Sequence, residues 1–157
     1  MFDQFKSPTQ NIDPFRPEVD AILQYVEQII KGKRETALLA LAAIIAQGHV
    51  LFEDVPGTGK TTLASLIAGS LGLSFAHIQM TNDMLPSDIL GSMIFDPGKR
   101  VFEFHPGPIF ANIIMADELN RTSPRTQSAL LEAMGNAKVT VDRTTHSLPE
   151  PFTVLAT

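Results

Sequence analysis

The stretch Leu51–Ala64, LFEDVPGTGKTTLA, decides the fold. It nearly matches the phosphate-binding pattern G-x-x-x-x-G-K-[ST], but Asp54 stands where the pattern has its first glycine. Glycine matters most at Gly57 and Gly59, because backbone N–H groups there must approach phosphate oxygens and a side chain would block them. Asp54 lies at the end of a strand and only has to turn its carboxylate away. The loop is therefore predicted to hold phosphate despite the departure.

Residues within and after the loop have separate expected roles. Lys60 supplies a cation for the β and γ phosphates, and Thr61 offers a hydroxyl to Mg²⁺. The helix that begins near Lys60 points its first N–H groups at the anion. A buried strand before the loop and an amphipathic helix after it give the context that the motif requires. The predicted nucleotide-binding residues are Asp54, Val55, Pro56, Gly57, Thr58, Gly59, Lys60, Thr61 and Thr62.

A second group of candidate residues follows the apolar run ANIIMADE, where Asp117 and Glu118 end a predicted strand. An aspartate in this position can hold Mg²⁺, usually through water, together with the loop's threonine. The adjacent glutamate can polarise a water for attack on the γ-phosphate. Such an acid pair is a weak signal alone, but it is strong when a phosphate loop precedes it. The sequence predicts Lys60 and Glu118 as catalytic residues and Thr61 and Asp117 as metal ligands.

The composition limits the classes of function to consider. The 157 residues suit one domain, and 44% hydrophobic with 18% charged residues is a globular composition. A net charge of −5 gives no basic footprint, so no nucleic-acid partner is expected. Cysteine is missing from the sequence, which excludes disulfides, thiol catalysis and cysteine-based zinc sites.

Nothing in the sequence predicts membrane insertion. The longest apolar run is ALLALAAIIA at 37–46, and its 10 residues are too few because a spanning helix needs roughly 20. The first ten residues are polar and lack the apolar segment of a secretory signal. We therefore expect a cytoplasmic location.

The periodicity of apolar residues predicts helices that alternate with strands, which favours an α/β fold with a parallel sheet. Helices are predicted at 17–30, 35–47, 60–72 and 123–135, and a short helical turn at 85–91. Core strands are predicted at 49–55, 74–80, 111–118 and 151–157, and hairpins at 93–104 and 138–148. The predicted caps and end residues are Gly48, Gly72, Ser87, Ser123 and Gly135, with Pro124 at a first helical position.

Three long segments carry a resemblance to a known family: GHVLFEDVPGTGKTTLA, PGPIFANIIMADELNRTSPRTQSALLEAM and LPEPFTVLAT. From about Glu35 to Thr157, the chain resembles the MoxR family of AAA+ ATPases, which often has aspartate at the position of Asp54. The resemblance implies a P-loop NTPase three-layer α/β sandwich with a mostly parallel central sheet. It also implies truncation after the fourth core strand and an absent lid domain. Residues 1–16 are expected to form a loose leader, and 17–157 a partial AAA+ nucleotide-binding domain.

The same resemblance implies an activity and partners. The family hydrolyses ATP with Mg²⁺ in a homo-oligomeric ring, usually a hexamer, for chaperone-like remodelling or metal-cofactor insertion. Proteins with a von Willebrand factor A domain are frequent partners. Gly57, Gly59, Lys60 and Thr61 match the family's phosphate loop, Asp117 its magnesium-associated acid and Glu118 its catalytic base. The segment 93–105 matches a hairpin directed toward the pore or a neighbour, and adenine is expected near 30–35.

Parts of the family pattern are missing, which leaves alternatives open. A polar sensor residue is expected about two positions past Thr157, and the arginine that reaches a neighbouring site and the lid are also missing. We expect ATP hydrolysis by the intact protein and little turnover by this chain. The alternative is a nucleotide-binding, hydrolysis-deficient fragment or interaction module. A P-loop kinase or nucleotide switch is less favoured, since no cluster of lid arginines is evident.

Other residues receive structural interpretations. The four histidines lack the spacing of metal ligands. Arg121 and Arg125 are expected to form ion pairs, either locally or at an interface, rather than to take part in catalysis. The phenylalanines at 2, 5 and 15 are expected to fold onto the core or be disordered, rather than contact a partner. The apolar residues Leu130, Leu131 and Met134 are expected on one core-facing side of their helix.

Overall fold

The structure is a computed structural model that describes residues 15–53, 55 and 57–157. Its α-helices are α1 (Arg16–Ile29), α2 (Arg34–Ile45), α3 (Lys60–Ser70), α4 (Pro86–Leu90) and α5 (Pro124–Asn136), with a 3₁₀ turn at Leu119–Arg121. Its strands are β1 (Val50–Leu51), β2 (Phe75–Gln79), β3 (Gly91–Asp96), β4 (Val101–Pro106), β5 (Ile113–Asp117), β6 (Lys138–Val141), β7 (Thr144–Ser147) and β8 (Thr153–Ala156). Helices and strands thus alternate through most of the chain, as predicted.

The central sheet has four parallel strands in the order β1, β8, β5, β2. The strand that comes last in the sequence lies between β1 and β5. Ile113 of β5 is paired with Phe75 on one side and with Thr153 on the other. Because all four strands run the same way, their carboxyl ends meet at one edge of the sheet. The predicted α/β fold with a parallel sheet is confirmed.

Two hydrophobic cores lie on opposite faces of this sheet. Ile113 and Met115 of β5 pack with the buried residues of α1, α2 and α3. Ile114 and Ala116, which alternate with them, pack with Ile89 of α4 and with the buried face of α5. Successive side chains of a strand point to opposite faces, so β5 contributes to both cores. The result is the predicted three-layer sandwich.

The two predicted hairpins are present as separate antiparallel pairs, β3 with β4 and β6 with β7. The β3–β4 hairpin has a narrow neck, because a Cβ atom at Gly91 would lie 2.2 Å from the carbonyl oxygen of His105. A Cβ atom at Gly107 would lie 2.2 Å from the carbonyl oxygen of Ile89. The backbones at the neck therefore approach more closely than side chains allow. The ring of Phe104 in β4 stacks on His146 of β7, with 4.0 Å between ring centroids, and links the two hairpins.

Several predicted boundaries and caps are wrong. The strand predicted at 49–55 is only Val50–Leu51, since it has a single neighbour and the chain then turns into the phosphate loop. After α2, Gln47 takes the left-handed conformation (φ 54°), and Gly48 follows by donating its N–H to Ala43. Asp88, and not Ser87, caps α4, because the N–H of Leu85 donates to its carboxylate at 2.8 Å.

The C-terminal half of α5 also differs from the prediction. Gly135 lies inside the helix, which continues to Asn136, and Ala137 takes the left-handed conformation (φ 49°). Leu130 is buried, whereas Leu131 is 60% exposed, because successive residues of a helix are about 100° apart. The predicted N-terminal features are confirmed, since the Ser123 hydroxyl accepts the N–H of Thr126 and Pro124 begins the helix.

Some predictions lie outside the described residues, namely Asp54, Pro56, Phe2, Phe5 and nearly all of the leader at 1–16. Phe15, just before α1, is 70% exposed and is not part of a core. Within the described ranges, none of the helices is long and apolar enough to cross a membrane.

Candidate functional site

The phosphate loop adopts a backbone conformation that favours glycine. Gly57 and Gly59 have φ angles of +81° and +80°, in the left-handed region that other residues adopt rarely. Gly59 is the N-cap of α3, so the loop leads directly into the N-terminus of a helix. A Cβ atom at Gly59 would lie 3.7 Å from the side chain of Ile30. The two glycines expected to approach phosphate therefore both take a backbone conformation that a side chain would strain.

The side chain of Lys60 lies across this loop. Its Nζ donates to the carbonyl oxygen of Val55 at 2.8 Å and to Thr58 Oγ1 at 3.4 Å. The Thr58 hydroxyl donates to the same carbonyl at 3.3 Å. These contacts hold the ammonium group at the loop, close to the first turn of α3, where Thr61 and Thr62 lie. The Lys60 ammonium group, the threonine hydroxyls and the N-terminus of α3 therefore lie together at the phosphate loop.

The two acids lie at the carboxyl end of β5. Asp117 is the last residue of the strand, and its Oδ1 accepts a hydrogen bond from the Thr157 hydroxyl. Its Oδ2 lies 3.7 Å from His77 Nε2. Glu118 Oε2 accepts a hydrogen bond from Gln79 Nε2 at 2.9 Å.

Glu118 Oε2 also lies 3.0 Å from Arg121 Nε, which is the local pairing expected for this arginine. Glu118 is therefore held from two directions, by the end of β2 and by the 3₁₀ turn that follows it. This ion pair is partly exposed, since the two side chains retain 66% and 35% of their accessible surface. Ion pairs at that exposure contribute modestly to stability, so orientation of the carboxylate is the more important effect of the contact.

The loop and the acids line a single cleft of about 940 Å³. The predicted site residues on its walls are Gly57, Thr58, Gly59, Lys60, Thr61, Thr62, Asp117 and Glu118. Val55 takes part through its carbonyl contact with Lys60, and Asp54 and Pro56 lie outside the described residues. Residues separated by more than fifty positions in the chain are thus adjacent in the fold.

A smaller cavity of about 160 Å³ adjoins the phosphate loop. Its walls include Thr58 and Lys60 from the loop region and Lys33 from the segment expected near adenine. The rest of the lining is mixed apolar and polar, with Thr36, Phe52, Glu53 and Leu63. The segment at 30–35 and the phosphate loop are therefore neighbours, as the expected adenine position requires.

The oxygen donors of the cleft suit Mg²⁺. Thr61 contributes a hydroxyl and Asp117 a carboxylate, and both residues line the same cavity. Mg²⁺ is usually held by one or two carboxylates together with substrate phosphates and water, not by a full protein cage. Within the described ranges, no group of three or more His, Asp or Glu side chains could form such a cage. Thr61 and Asp117 are therefore the described residues that could supply part of a magnesium coordination shell.

Three residues of the site were missed by the sequence reasoning. Thr157 and Gln79 contact the acids, and Gln127 lines the cleft and donates to the carbonyl oxygens of Leu119 and Thr122 at 3.2 and 3.0 Å. A usable signal existed for the first two, because ligand sites in open α/β sheets gather at the carboxyl ends of the strands. Both residues stand at or just after such an end.

Comparison with known proteins gives the family. The family model "ATPase family associated with various cellular activities (AAA)" matches residues 49–157. The chain is also 40% identical over 132 residues to Chaperone MoxR1 of Mycobacterium tuberculosis, which covers 84% of this chain and 35% of that protein. The chain belongs to the MoxR family of AAA+ ATPases. The resemblance stated from the sequence is confirmed.

Two further proteins are similar to this MoxR-family chain. It is 50% identical over 145 residues to the uncharacterized protein YeaC of Bacillus subtilis, which covers 92% of this chain and 45% of that protein. A crystal structure of a proposed ATPase from Cytophaga hutchinsonii superposes with a TM-score of 0.81 at 40% identity, over 91% of this chain and 43% of that one. The MoxR-family chain therefore spans less than half the length of these relatives.

Proposed function

We propose that the cleft binds Mg²⁺·ATP and that the intact protein hydrolyses ATP there. The observation that carries the proposal is that the phosphate loop and the acids Asp117 and Glu118 line one cleft. Membership of an ATPase family supports nucleotide chemistry in general, and the side chains of this cleft supply the specific groups. Each proposed role follows from the position of a residue in the cleft.

The loop would bind the phosphates by its backbone. The N–H groups around Gly57 and Gly59, together with those at the start of α3, form an anion site that the helix dipole reinforces. Lys60 would exchange its contact with the Val55 carbonyl for the β and γ phosphates, because an anionic oxygen is a stronger acceptor than a neutral carbonyl. Adenine would lie toward the smaller cavity beside Lys33.

Hydrolysis would need a base and a metal. Thr61 and Asp117 would hold Mg²⁺ together with the phosphates, and the bound ion would supply neutralisation of negative charge on the transferred group. Glu118 would take a proton from a water whose oxygen bonds to the γ-phosphorus. The bond from that phosphorus to the β–γ bridging oxygen breaks, and the bridging oxygen keeps the electron pair. The products are ADP and inorganic phosphate.

A substitution in the intact, longer protein tests the role of Glu118. Glu118→Gln removes the base but keeps the size and polarity of the side chain, so we expect ATP to remain bound. Phosphate release should fall by at least about 100-fold, which is the lower end of the contribution of one general base. The matched control is Glu132→Gln on the exposed face of α5, which should leave both measurements unchanged. Steady phosphate release by the Glu118 variant would refute the assignment of the base.

A second candidate applies to the 157-residue chain alone: it binds nucleotide with little turnover. The observation that favours it is the engagement of the Glu118 carboxylate by Gln79 and Arg121. Phosphate release near 1 s⁻¹ from the isolated chain, ordinary for an intact enzyme, would reject this candidate.

The wider role follows from the family and stays a proposal. We expect a cytoplasmic homo-oligomeric ring, with a hexamer as the first arrangement to test. The expected task is chaperone-like remodelling or metal-cofactor insertion, with a von Willebrand factor A domain protein as partner. The relative named Chaperone MoxR1 supports the chaperone part of this proposal. Mass measurement of the intact protein with and without ATP would test the ring, since a monomer under both conditions contradicts it.

A further inference from the structure

Thr157, which follows β8, makes four hydrogen bonds to the segment that carries the acids. Its Oγ1 accepts the N–H of Glu118 at 2.8 Å and donates to Oδ1 of Asp117. Its carbonyl oxygen accepts the N–H of Leu119 at 2.9 Å, and its own N–H donates to Ala116 at 3.0 Å. One side chain from a neighbouring strand thus contacts both acids, the first through its carboxylate and the second through its backbone.

The backbone of Glu118 needs such support. Its φ and ψ angles of 57° and 48° lie in the left-handed region, which is uncommon for a residue with a side chain and is kept only where the surroundings favour it. The N–H groups of Glu118 and Leu119 both donate hydrogen bonds to Thr157, the first to its hydroxyl and the second to its carbonyl oxygen. The turn that leads Glu118 into the cleft is therefore fixed by this threonine.

The carboxylate of Asp117 is fixed by the same hydroxyl. With Oδ1 accepting from Thr157, Oδ2 lies toward His77 at 3.7 Å, and rotation of the carboxylate would break the hydrogen bond. Groups that hydrogen-bond a metal-associated carboxylate orient it and tune its affinity for the ion. The hydroxyl of Thr157 thus bears on both acids of the proposed reaction.

We propose that Thr157 is a positioning residue that holds Asp117 and Glu118 in the orientation required by Mg²⁺·ATP. This inference rests on the proposed function of the cleft. A threonine that only closed the end of the sheet would affect stability alone. A positioning hydroxyl acts on the magnesium-dependent part of nucleotide binding, and that difference can be measured.

The experiment compares Thr157→Val, which keeps the shape but lacks the hydroxyl, with Thr157→Ser, which keeps the hydroxyl. ATP affinity is measured by calorimetry in MgCl₂ and in EDTA. In EDTA, we expect all three proteins to agree within about 2-fold. The gain in affinity on adding MgCl₂ should fall about 10-fold or more in Thr157→Val, because loss of a group that orients a metal ligand typically has an effect of that size. The gain should persist in Thr157→Ser.

Amide hydrogen exchange provides a readout that needs no nucleotide. The Glu118 amide should be protected in the wild type and in Thr157→Ser, and should exchange rapidly in Thr157→Val, whose circular dichroism should remain that of the wild type. Thr157→Ala serves as a second hydroxyl-free variant if the valine protein fails to fold. The same pattern of lost protection and lost magnesium gain is expected from it.

Three outcomes distinguish the role of Thr157 from the proposed function on which it rests. A wild type that binds Mg²⁺·ATP while Thr157→Val or Thr157→Ala retains the full magnesium gain overturns the role of Thr157 alone. Equal loss in Thr157→Ser also overturns it, because the hydroxyl would then be irrelevant. A wild type that binds no ATP overturns the proposed function itself and, with it, the role given to Thr157.

Discussion

The phosphate loop and the acid pair face each other across one cleft, yet they are held in different ways. The loop is held by neighbours in the sequence, since Lys60 contacts Val55 and Thr58, five and two positions away. The acids are held mainly by Gln79 at the end of β2 and by Thr157 just after β8, each about 40 positions away, while Arg121 is a local partner of Glu118. A local loop keeps its geometry wherever a strand leads into a helix, whereas the acids keep theirs only while three strands stay in register.

The largest expected effect tests the local half of this comparison. Lys60→Ala should weaken ATP binding in MgCl₂ by about 100-fold, because a hydrogen bond to a charged group contributes up to about 3 kcal/mol. Stability should change little, since the described hydrogen bonds of this side chain, to Val55 and Thr58, lie within the loop. Lys138→Ala, at an exposed position of β6, is the control of equal charge change. Unchanged affinity on calorimetry would remove the loop from the proposed site.

The next effect concerns the register of the strands at the end of the sheet remote from the cleft. The Asn112 side chain accepts hydrogen bonds from the N–H and hydroxyl of Ser74 at 3.1 and 2.7 Å and donates to the carbonyl oxygen of Pro151 at 3.0 Å. It thereby ties together the segments that enter β2, β5 and β8. Asn112→Ala should lower the free energy of unfolding by about 2 kcal/mol, because it removes three hydrogen bonds, of which the one to Pro151 is partly buried.

Urea unfolding checks this prediction, with Asn82→Ala at an exposed turn as a control expected within about 0.5 kcal/mol of wild type. The magnesium-dependent ATP affinity of Asn112→Ala then shows whether the acids depend on the register of the whole strands. If the acids depend on the register of the whole strands, affinity should fall together with stability. If affinity stays constant, the contacts at the cleft end hold the acids by themselves.

A smaller effect is expected at the glycine that begins α3. Gly59→Ala should cost about 1–2 kcal/mol of stability, because a φ of +80° is strained for a residue with a Cβ atom. The new methyl would also contact the Ile30 side chain at 3.7 Å, which is an ordinary packing distance and adds little further cost. Thermal unfolding measures the change, and an alanine variant as stable as the wild type would contradict the described loop conformation.

The smallest effect has the opposite sign and provides the matched control. Gly69 lies inside α3, and a Cβ atom there would meet no atom within 4 Å other than those of its chain neighbours and its own helix backbone. Gly69→Ala should therefore stabilise the protein by about 0.5–1 kcal/mol, through lower chain entropy in the unfolded state. ATP affinity should not change, because this residue is two turns away from the first N–H groups of the helix. A loss of stability would show crowding on that face.

Sequence reasoning predicted the glycine turn that leads into α3, because its signal is contiguous in the sequence. The same holds for α5, where Ser123 and Pro124 signal the start of the helix. It missed Thr157 and Gln79, because their importance comes from strands that become neighbours only after folding. A mostly parallel sheet was expected, but the order of its strands and the pairing of individual side chains across it were not predicted.

The wrong caps have a shared physical cause. Glycine was favoured at helix ends, yet Gln47 and Ala137 adopt the left-handed conformation themselves. Packing of the following segment can offset the cost of that conformation, and residue propensities do not include this tertiary contribution. At α4, Ser87 and Asp88 are both good capping residues, and only the position of the Leu85 N–H decides between them.

The neck formed by Gly91 and Gly107 determines where the β3–β4 hairpin can be altered. Because the two backbones leave no room for a side chain there, added residues at the neck would push the arms apart. The turn between Asp96 and Val101 is exposed and has no such restriction. A fluorescent tag or short epitope inserted at that turn would therefore report on the surroundings of the hairpin while its attachment to the sandwich stays unchanged.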